Sequence, residues 1–223
     1  MLVQPPGAVP AAFPRYITPC APTLRPMAPS GPEWLHEIKF DGYRIQAHVR
    51  GGAARVFTRN GYDWTDRFNA IARAAAALPA LDLVLDGEAV VLDERGMPDM
   101  ARLRSSFAGG RGERFVCFAF DLLHLDGFDL RPAPLFERKQ ILAGLLTGSP
   151  DALRLSEHLE GDGPPILAQA CAMGLEGIVS KRRDAPRFST KATWVEPELE
   201  AEVDFTSETG NGLLRDAVFK GLR

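Results

Sequence analysis

Between Trp34 and Arg182 the chain alternates runs of period-two patterning with isolated stretches of helical spacing, an ordering that constrains the fold more than any other feature. Strand-like runs fall at 34–40, 43–49, 53–58, 83–92 and 115–122, and "EGIVSKR" supplies a final one. "DRFNAIARAAAALPA" keeps Phe68, Ile71, Ala72, Ala75 and Leu78 at helical spacing. "RKQILAGLL" and "PPILAQACAMG" read as further helices, the last with proline at its start and Gly174 as its stop. Strand runs interrupted by single helices predict an α+β fold with largely antiparallel sheets, not a regular βαβ array. Residues 1–32 hold nine prolines and are expected to form an extended, largely irregular lead-in, with the packed domain starting near Glu33.

At 223 residues and 45% apolar, the chain can bury a real core and is expected to form one domain, or one and a fragment. The formal net charge of -3 excludes a global positive field, so any polyanion site must be local. Cys20, Cys117 and Cys171 are odd in number and far apart, which argues for a reducing interior and against a disulfide framework or a zinc site. The N-terminus lacks the basic start and apolar run of a signal peptide, and no stretch approaches the ~18 apolar residues of a membrane span. The expected location is the cytoplasm, with no membrane partner.

"WLHEIKFDGYR" sets Glu37, Lys39 and Asp41 at alternate positions, so on a strand they share one face while Ile38 and Phe40 take the other. The ordinary reading is a solvated row of ion pairs. Gly42 and Arg44 shift it: glycine permits a turn or a close approach to a ligand, and arginine adds a fork that fits phosphate. "LVLDGEAVVLD" likewise places Asp86 and Glu88 on one face of a very apolar strand, where carboxylates need a cation, a metal or a hydroxyl donor. "RFVCFAFDLL" puts Phe118 and Phe120 on a common face, by default as core rings and otherwise as a platform for a stacked base. In "LEGIVSKR" the odd separation of Glu176 and Lys181 requires a bulge near Gly177 if both are to enter one site.

The ordered set E-x-K-x-D-G-x-R, D-G-E, F-D-L-L and E-G-I-V-x-K resembles the ATP-dependent DNA ligases of the lysine nucleotidyltransferase superfamily. The wording "WLHEIKFDGYR" and "FDLLHLDG" is most similar to the bacterial ligase D type of non-homologous end joining, and the resemblance runs from about residue 16 to residue 188. It implies an antiparallel adenylation domain over 33–188, with Lys39 as the nucleophile that attacks the α-phosphorus of ATP. Glu37 falls where the family contacts adenine, Glu88 where it binds the ribose, and Phe120 where it stacks on the base. Arg44 and Arg59 match positions that meet AMP or the nick phosphate, Glu176 the metal-associated acid, and Lys181 a phosphate-side lysine. The implied cofactors are ATP and Mg²⁺ or Mn²⁺. The implied partners are nicked or broken duplex DNA, with Ku and the polymerase or nuclease components of end joining. ATP is expected over NAD, because residues 1–32 are too few to form the extra domain that NAD-dependent ligases carry.

A free lysine has a pKa of about 10.4, so Lys39 must lose its proton to act; cations such as Arg44, Lys181 and a bound Mg²⁺ favour the neutral amine, and Glu37 and Asp41 oppose it. "ARLRSSFAGGRGER" and "KRRDAPR" are local basic runs that become phosphate-contact expectations given the resemblance. Met100 and Arg104 stand where ligase D relatives tend to have Phe and Gln. The C-terminal end departs from the family pattern. Trp194 is followed by Val195 and Glu196, so the expected W-x-K-x-K lysine pair is absent, and 189–223 read as a truncated remnant of an oligonucleotide-binding barrel. The expectation is therefore weak ATP binding, slow or undetectable lysyl-AMP formation and no efficient sealing by this chain alone. A non-catalytic ATP- or DNA-binding remnant is the alternative, and an RNA-directed nucleotidyltransferase a distant third.

Overall fold

The period-two runs form strands close to their expected bounds. The computed structural model describes residues 4–107 and 114–187, and beyond them the backbone of five short strands between 193 and 222. In chain order the elements are β1 (Val9–Pro10), β2 (Thr23–Leu24), β3 (Trp34–Ile38), β4 (Tyr43–Arg50), β5 (Ala53–Thr58), α1 (Asn69–Ala76), β6 (Asp82–Val91) and α2 (Met100–Phe107). There follow β7 (Phe115–Leu125), β8 (Phe128–Asp129), α3 (Leu135–Leu146), β9 (Leu153–Leu155), β10 (His158–Glu160), α4 (Gly163–Ala172) and β11 (Ile178–Arg182). The last strands are β12 (Thr193–Val195), β13 (Ala201–Asp204), β14 (Ser207–Glu208), β15 (Leu214–Arg215) and β16 (Val218–Leu222).

The larger sheet runs β1-β8-β7-β6-β4-β5, with β9 alongside β7, and the smaller runs β10-β3-β11-β12-β2. Pairing is antiparallel except at β7–β9 and β12–β2, which bears out an α+β fold on largely antiparallel sheets. Ile45, Ala47 and Val49 of β4 pack with Phe68, Ile71 and Ala75 of the α1 region. The intervening residues Gln46 and His48 are also buried, under the lead-in. The extended lead-in is tied down: Ala8, Ile17 and Ala28 are buried, and the Phe13 ring sits edge-on to His48 and His124. Proline-rich chain has few ladder partners, so its carbonyls stay free to accept; Gln46 Nε2 donates to the Ile17 carbonyl at 2.6 Å, and Arg44 Nη1 to that of Cys20 at 2.5 Å.

α2 has no counterpart among the expected helices, because Leu103 alone of its residues is buried and no apolar stripe marks it. Its signal is the cap, where Asp99 accepts from the Arg102 backbone N–H at 2.9 Å. The rest of that basic run, 108–113, lies outside the described residues. β12 extends the smaller sheet, and β13–β16 and β14–β15 form two separate pairs among the described residues. Most of the segment expected as a barrel remnant, Glu196 included, also lies outside them. Among the described residues no helix is long and apolar enough to cross a membrane.

Candidate functional site: the cleft around Lys39

Lys39 follows directly on β3, and its backbone N–H donates to the Gly177 carbonyl at 3.0 Å, which fixes the chain end against the turn into β11. Gly177 has φ of 151° and β11 begins only at Ile178, so Glu176 stands outside the strand. Strand parity therefore does not separate Glu176 from Lys181, and both reach the same cleft. Gly42 serves a different end from a ligand approach. A Cβ there would lie 2.5 Å from the Ala89 carbonyl oxygen and 2.9 Å from Val90 Cγ1, so glycine is needed for the chain to pass over β6.

The cleft between the sheets has a volume of about 770 Å³. Glu37, Lys39 and Arg44 line it from the β3–β4 region, Arg59 from the end of β5, Glu88 from β6, Phe120 from β7, and Glu176 and Lys181 from the β11 region. All the site residues expected from sequence thus come together. The Lys39 ammonium pairs with Glu176.

Two of these residues are engaged in ways the sequence did not convey. Glu37 is only 2% exposed and sits in a cage: Oε1 accepts from Lys139 Nζ at 2.9 Å, and Oε2 from Lys181 Nζ at 2.9 Å and Ser156 Oγ at 3.2 Å. Burial pushes its carboxyl up, but the Lys181 and Lys139 ammoniums outweigh that and hold it below the usual carboxylate range. Arg44 turns its fork on Asp86, Nε to Oδ1 at 3.1 Å and Nη2 to Oδ2 at 3.0 Å, while Nη1 donates to the Cys20 carbonyl.

Asp86 belongs to a longer buried network. Arg187 Nη2 also donates to its Oδ2, and Arg187 Nε lies 3.3 Å from Asp121 Oδ2. Asp121 in turn accepts from Arg138 Nε at 2.7 Å and Nη2 at 3.1 Å. Arg187, expected as part of a phosphate-facing basic run, is thus turned inward with its side chain 8% exposed. In the same run Arg182 pairs with Asp184 and Arg183 with Glu160. Sequence reasoning missed Arg138 and Lys139, although both lie on the stripe of α3 that also buries Leu135, Leu142 and Leu146. A basic pair on an apolar stripe is a legible sign that buried acids wait opposite.

Glu88 is only partly covered, yet burial pushes its carboxyl up to about 8, with Arg44 pulling the other way. The native state then holds a proton that the unfolded chain has released between pH 4.5 and 8. Glu88 therefore makes stability fall as pH rises through that window. Denaturant melts from pH 5 to 9 should show this component vanish in Glu88→Gln, and an unchanged pH slope would contradict it.

Among the described residues no group of three or more His, Cys, Asp or Glu could hold a metal by itself. Glu176 Oε2, buried without a hydrogen-bond partner beside Lys39, offers one carboxylate oxygen. That fits a Mg²⁺ ion bound through one carboxylate with the remaining positions filled by phosphate and water.

The family model for the ATP dependent DNA ligase domain matches residues 18–194. The multifunctional non-homologous end joining protein LigD of Pseudomonas aeruginosa is 40% identical over 195 residues, which cover 86% of this chain and 23% of that protein. The protein of the same name from Mycobacterium bovis is 37% identical over 153 residues, covering 69% of this chain and 20% of its own length. The chain thus spans about a quarter or less of these relatives. Among solved structures, the ligase domain from M. tuberculosis LigD superposes with a TM-score of 0.71 at 33% identity, covering 83% of this chain and 61% of that one. A mycobacterial DNA ligase D complexed with ATP and MES shares the fold, with a TM-score of 0.71 at 24% identity over 92% of this chain and 94% of the other. With the family model spanning most of its length, the chain belongs to the ATP-dependent DNA ligase domain family.

Proposed function

We propose that this chain transfers AMP from ATP to its own Lys39 and then to a 5′-phosphate in nicked or broken duplex DNA. The observation that carries the reading is the meeting of Lys39, Glu88, Phe120 and Glu176 around one cleft, at the spacing the ligase motifs require. In the first step the neutral Lys39 amine attacks the α-phosphorus. An N–P bond forms, the bond to the bridging oxygen of pyrophosphate breaks, and the amine gives up a proton. Phe120 supplies a face for the base, and Glu88 hydrogen bonds to the ribose. The Glu176 carboxylate that pairs with Lys39 favours the charged amine, so the pair must open before the neutral amine can attack. A Mg²⁺ ion on Glu176 and the phosphates would shield negative charge there.

Residues 33–188 make up the adenylation domain in this reading, with 1–32 as its lead-in and 189–223 as a separate segment that follows it. End joining is the setting named for the LigD relatives, and this reading adds a cytoplasmic location with Ku and polymerase or nuclease components as partners. The absence of a lysine pair after Trp194 favours slow chemistry, because each lost donor to a phosphoryl transition state costs about 10²–10³-fold by analogy with oxyanion holes. The same absence favours the second reading, a non-catalytic nucleotide-binding remnant. Label from [α-³²P]ATP, followed onto a nicked duplex, separates the two. Slow appearance of adenylylated DNA with little sealed product supports transfer, and nucleotide binding with no label on protein or DNA supports the remnant.

A further inference from the structure

Lys39 sits in the link between two sheets. β3 belongs to the smaller sheet and β4 to the larger, so residues 39–42 carry the chain across, outside the ladder of either. The cleft residues divide the same way: Glu88 and Phe120 stand on the larger sheet, Glu176 and Lys181 in the β11 region of the smaller. Where the Lys39 amine lies relative to a bound nucleotide therefore depends on how the link is fastened to each sheet. On the smaller sheet the fastening is the bond from the Lys39 backbone N–H to the Gly177 carbonyl. On the larger it is a pair of rings. Phe40, the next residue, lies face to face with Phe118 of β7, centroids 4.1 Å apart and planes 13° from parallel. Gly42 passes close over β6 but has no side chain to hold with.

Phe118 stands two residues before Phe120 on the same strand, yet the two rings serve different spaces. The β6–β7 register slips between Asp86 and Gly87, which leaves Phe120 as the extra residue of a bulge. Phe120 lines the cleft, whereas Phe118 lines an adjoining groove of about 520 Å³ together with Ile38, Leu146 and Leu155. Phe40 borders both spaces. With a cavity on each side of it, its ring is free to swing once the flat face of Phe118 is removed. We infer that Phe118 is a positioning residue for the transfer of AMP to Lys39: acting through Phe40, it sets the separation between the amine and a nucleotide whose base lies on Phe120. The inference rests on the proposed reading of the cleft as an ATP site. β7 then carries both the base and the link, so nucleotide and nucleophile are placed from one strand. In-line attack needs reacting atoms about 3–3.5 Å apart, and a displacement of about 1 Å costs up to about 10²-fold in rate.

Single-turnover transfer of label from [α-³²P]ATP to the chain, followed against ATP concentration, tests this in wild type and in Phe118→Leu, Phe118→Tyr and Phe40→Leu. Circular dichroism melts show that each variant is folded. Phe118→Leu keeps apolar bulk but loses the flat face, and should slow the maximal rate about 30-fold while the half-saturating ATP concentration moves by less than about threefold. Phe118→Tyr keeps the face and should stay within about threefold of wild type in both quantities. Because the rings act through one contact, the Phe40→Leu/Phe118→Leu double variant should be no slower than the slower single variant. An unchanged maximal rate, a loss of ATP affinity in step with the rate, or additive losses in the double variant would overturn the inference while leaving the ATP site intact. A wild-type chain that binds ATP but takes up no label would overturn the transfer reading instead. Amine acylation mapped by peptide mass spectrometry then decides the positioning claim without catalysis. Phe118→Leu should raise labelling at Lys39 about threefold or more as its pair with Glu176 loosens, and Phe118→Tyr should not. Equal labelling of Lys39 in wild type and Phe118→Leu would contradict it.

Discussion

Alanine at Lys39 is expected to abolish covalent capture of AMP from ATP while leaving ATP binding within about tenfold of wild type, since the base and ribose contacts remain. The nitrogen that forms the bond to phosphorus is gone. Lys139 cannot substitute, because it is buried and held by both Glu37 and the Ser156 carbonyl. Stability should hold within about 1 kcal/mol, because the Lys39–Glu176 pair is partly open to solvent, with side chains 20% and 31% exposed. Lys39→Arg should be equally inactive, since a guanidinium stays protonated at any working pH. Intact mass after incubation with ATP reads the covalent step, and equilibrium dialysis reads binding. An AMP adduct on either variant would remove Lys39 from the role given to it.

Asp121→Ala should produce the largest loss of stability, about 3–5 kcal/mol, the range for removing one partner of a buried ion pair. Asp121 is 4% exposed and takes two hydrogen bonds from Arg138, itself 2% exposed, with Arg187 alongside. Burial pushes the Asp121 carboxyl up, and Arg138 and then Arg187 overcome this and hold it below its usual range. Without it Arg138 keeps the Ala133 carbonyl but leaves its charge uncompensated in the core. Urea melts of Asp121→Ala and of the double variant Asp121→Leu/Arg138→Met measure the effect. The double variant should recover a substantial part of the loss, because neither member of that pair remains as an unpaired charge. A single-variant loss below about 1 kcal/mol would show that water or another acid takes over the role of Asp121.

The strands were legible because β4 alternates apolar and polar residues while β6 and β7 carry short apolar runs, and the core that these residues build needs no long-range information to be noticed. The cleft was legible because the ligase motifs fix which strand ends must meet. What the motifs could not convey is how the charges are divided. Lys39 pairs with Glu176 at the cleft, whereas Glu37 and Arg44 are engaged by Lys139 and Asp86, residues far away in sequence. Arg187 looked like one more member of an exposed basic run, and only the topology shows that its segment passes next to Asp86 and Asp121. The lead-in is the reverse case. Nine prolines predict irregular backbone correctly, but irregular backbone with free carbonyls is what Gln46 and Arg44 need as partners. α2 escaped notice because a one-residue apolar contact leaves no period to find.

Peptide mapping of the 223-residue chain after prolonged incubation with ATP and Mg²⁺ locates any covalent AMP. One AMP per chain is expected, accumulating slowly and carried by the peptide that contains Lys39. A chain that binds ATP yet carries no adduct, or carries it on a residue other than Lys39, would contradict it.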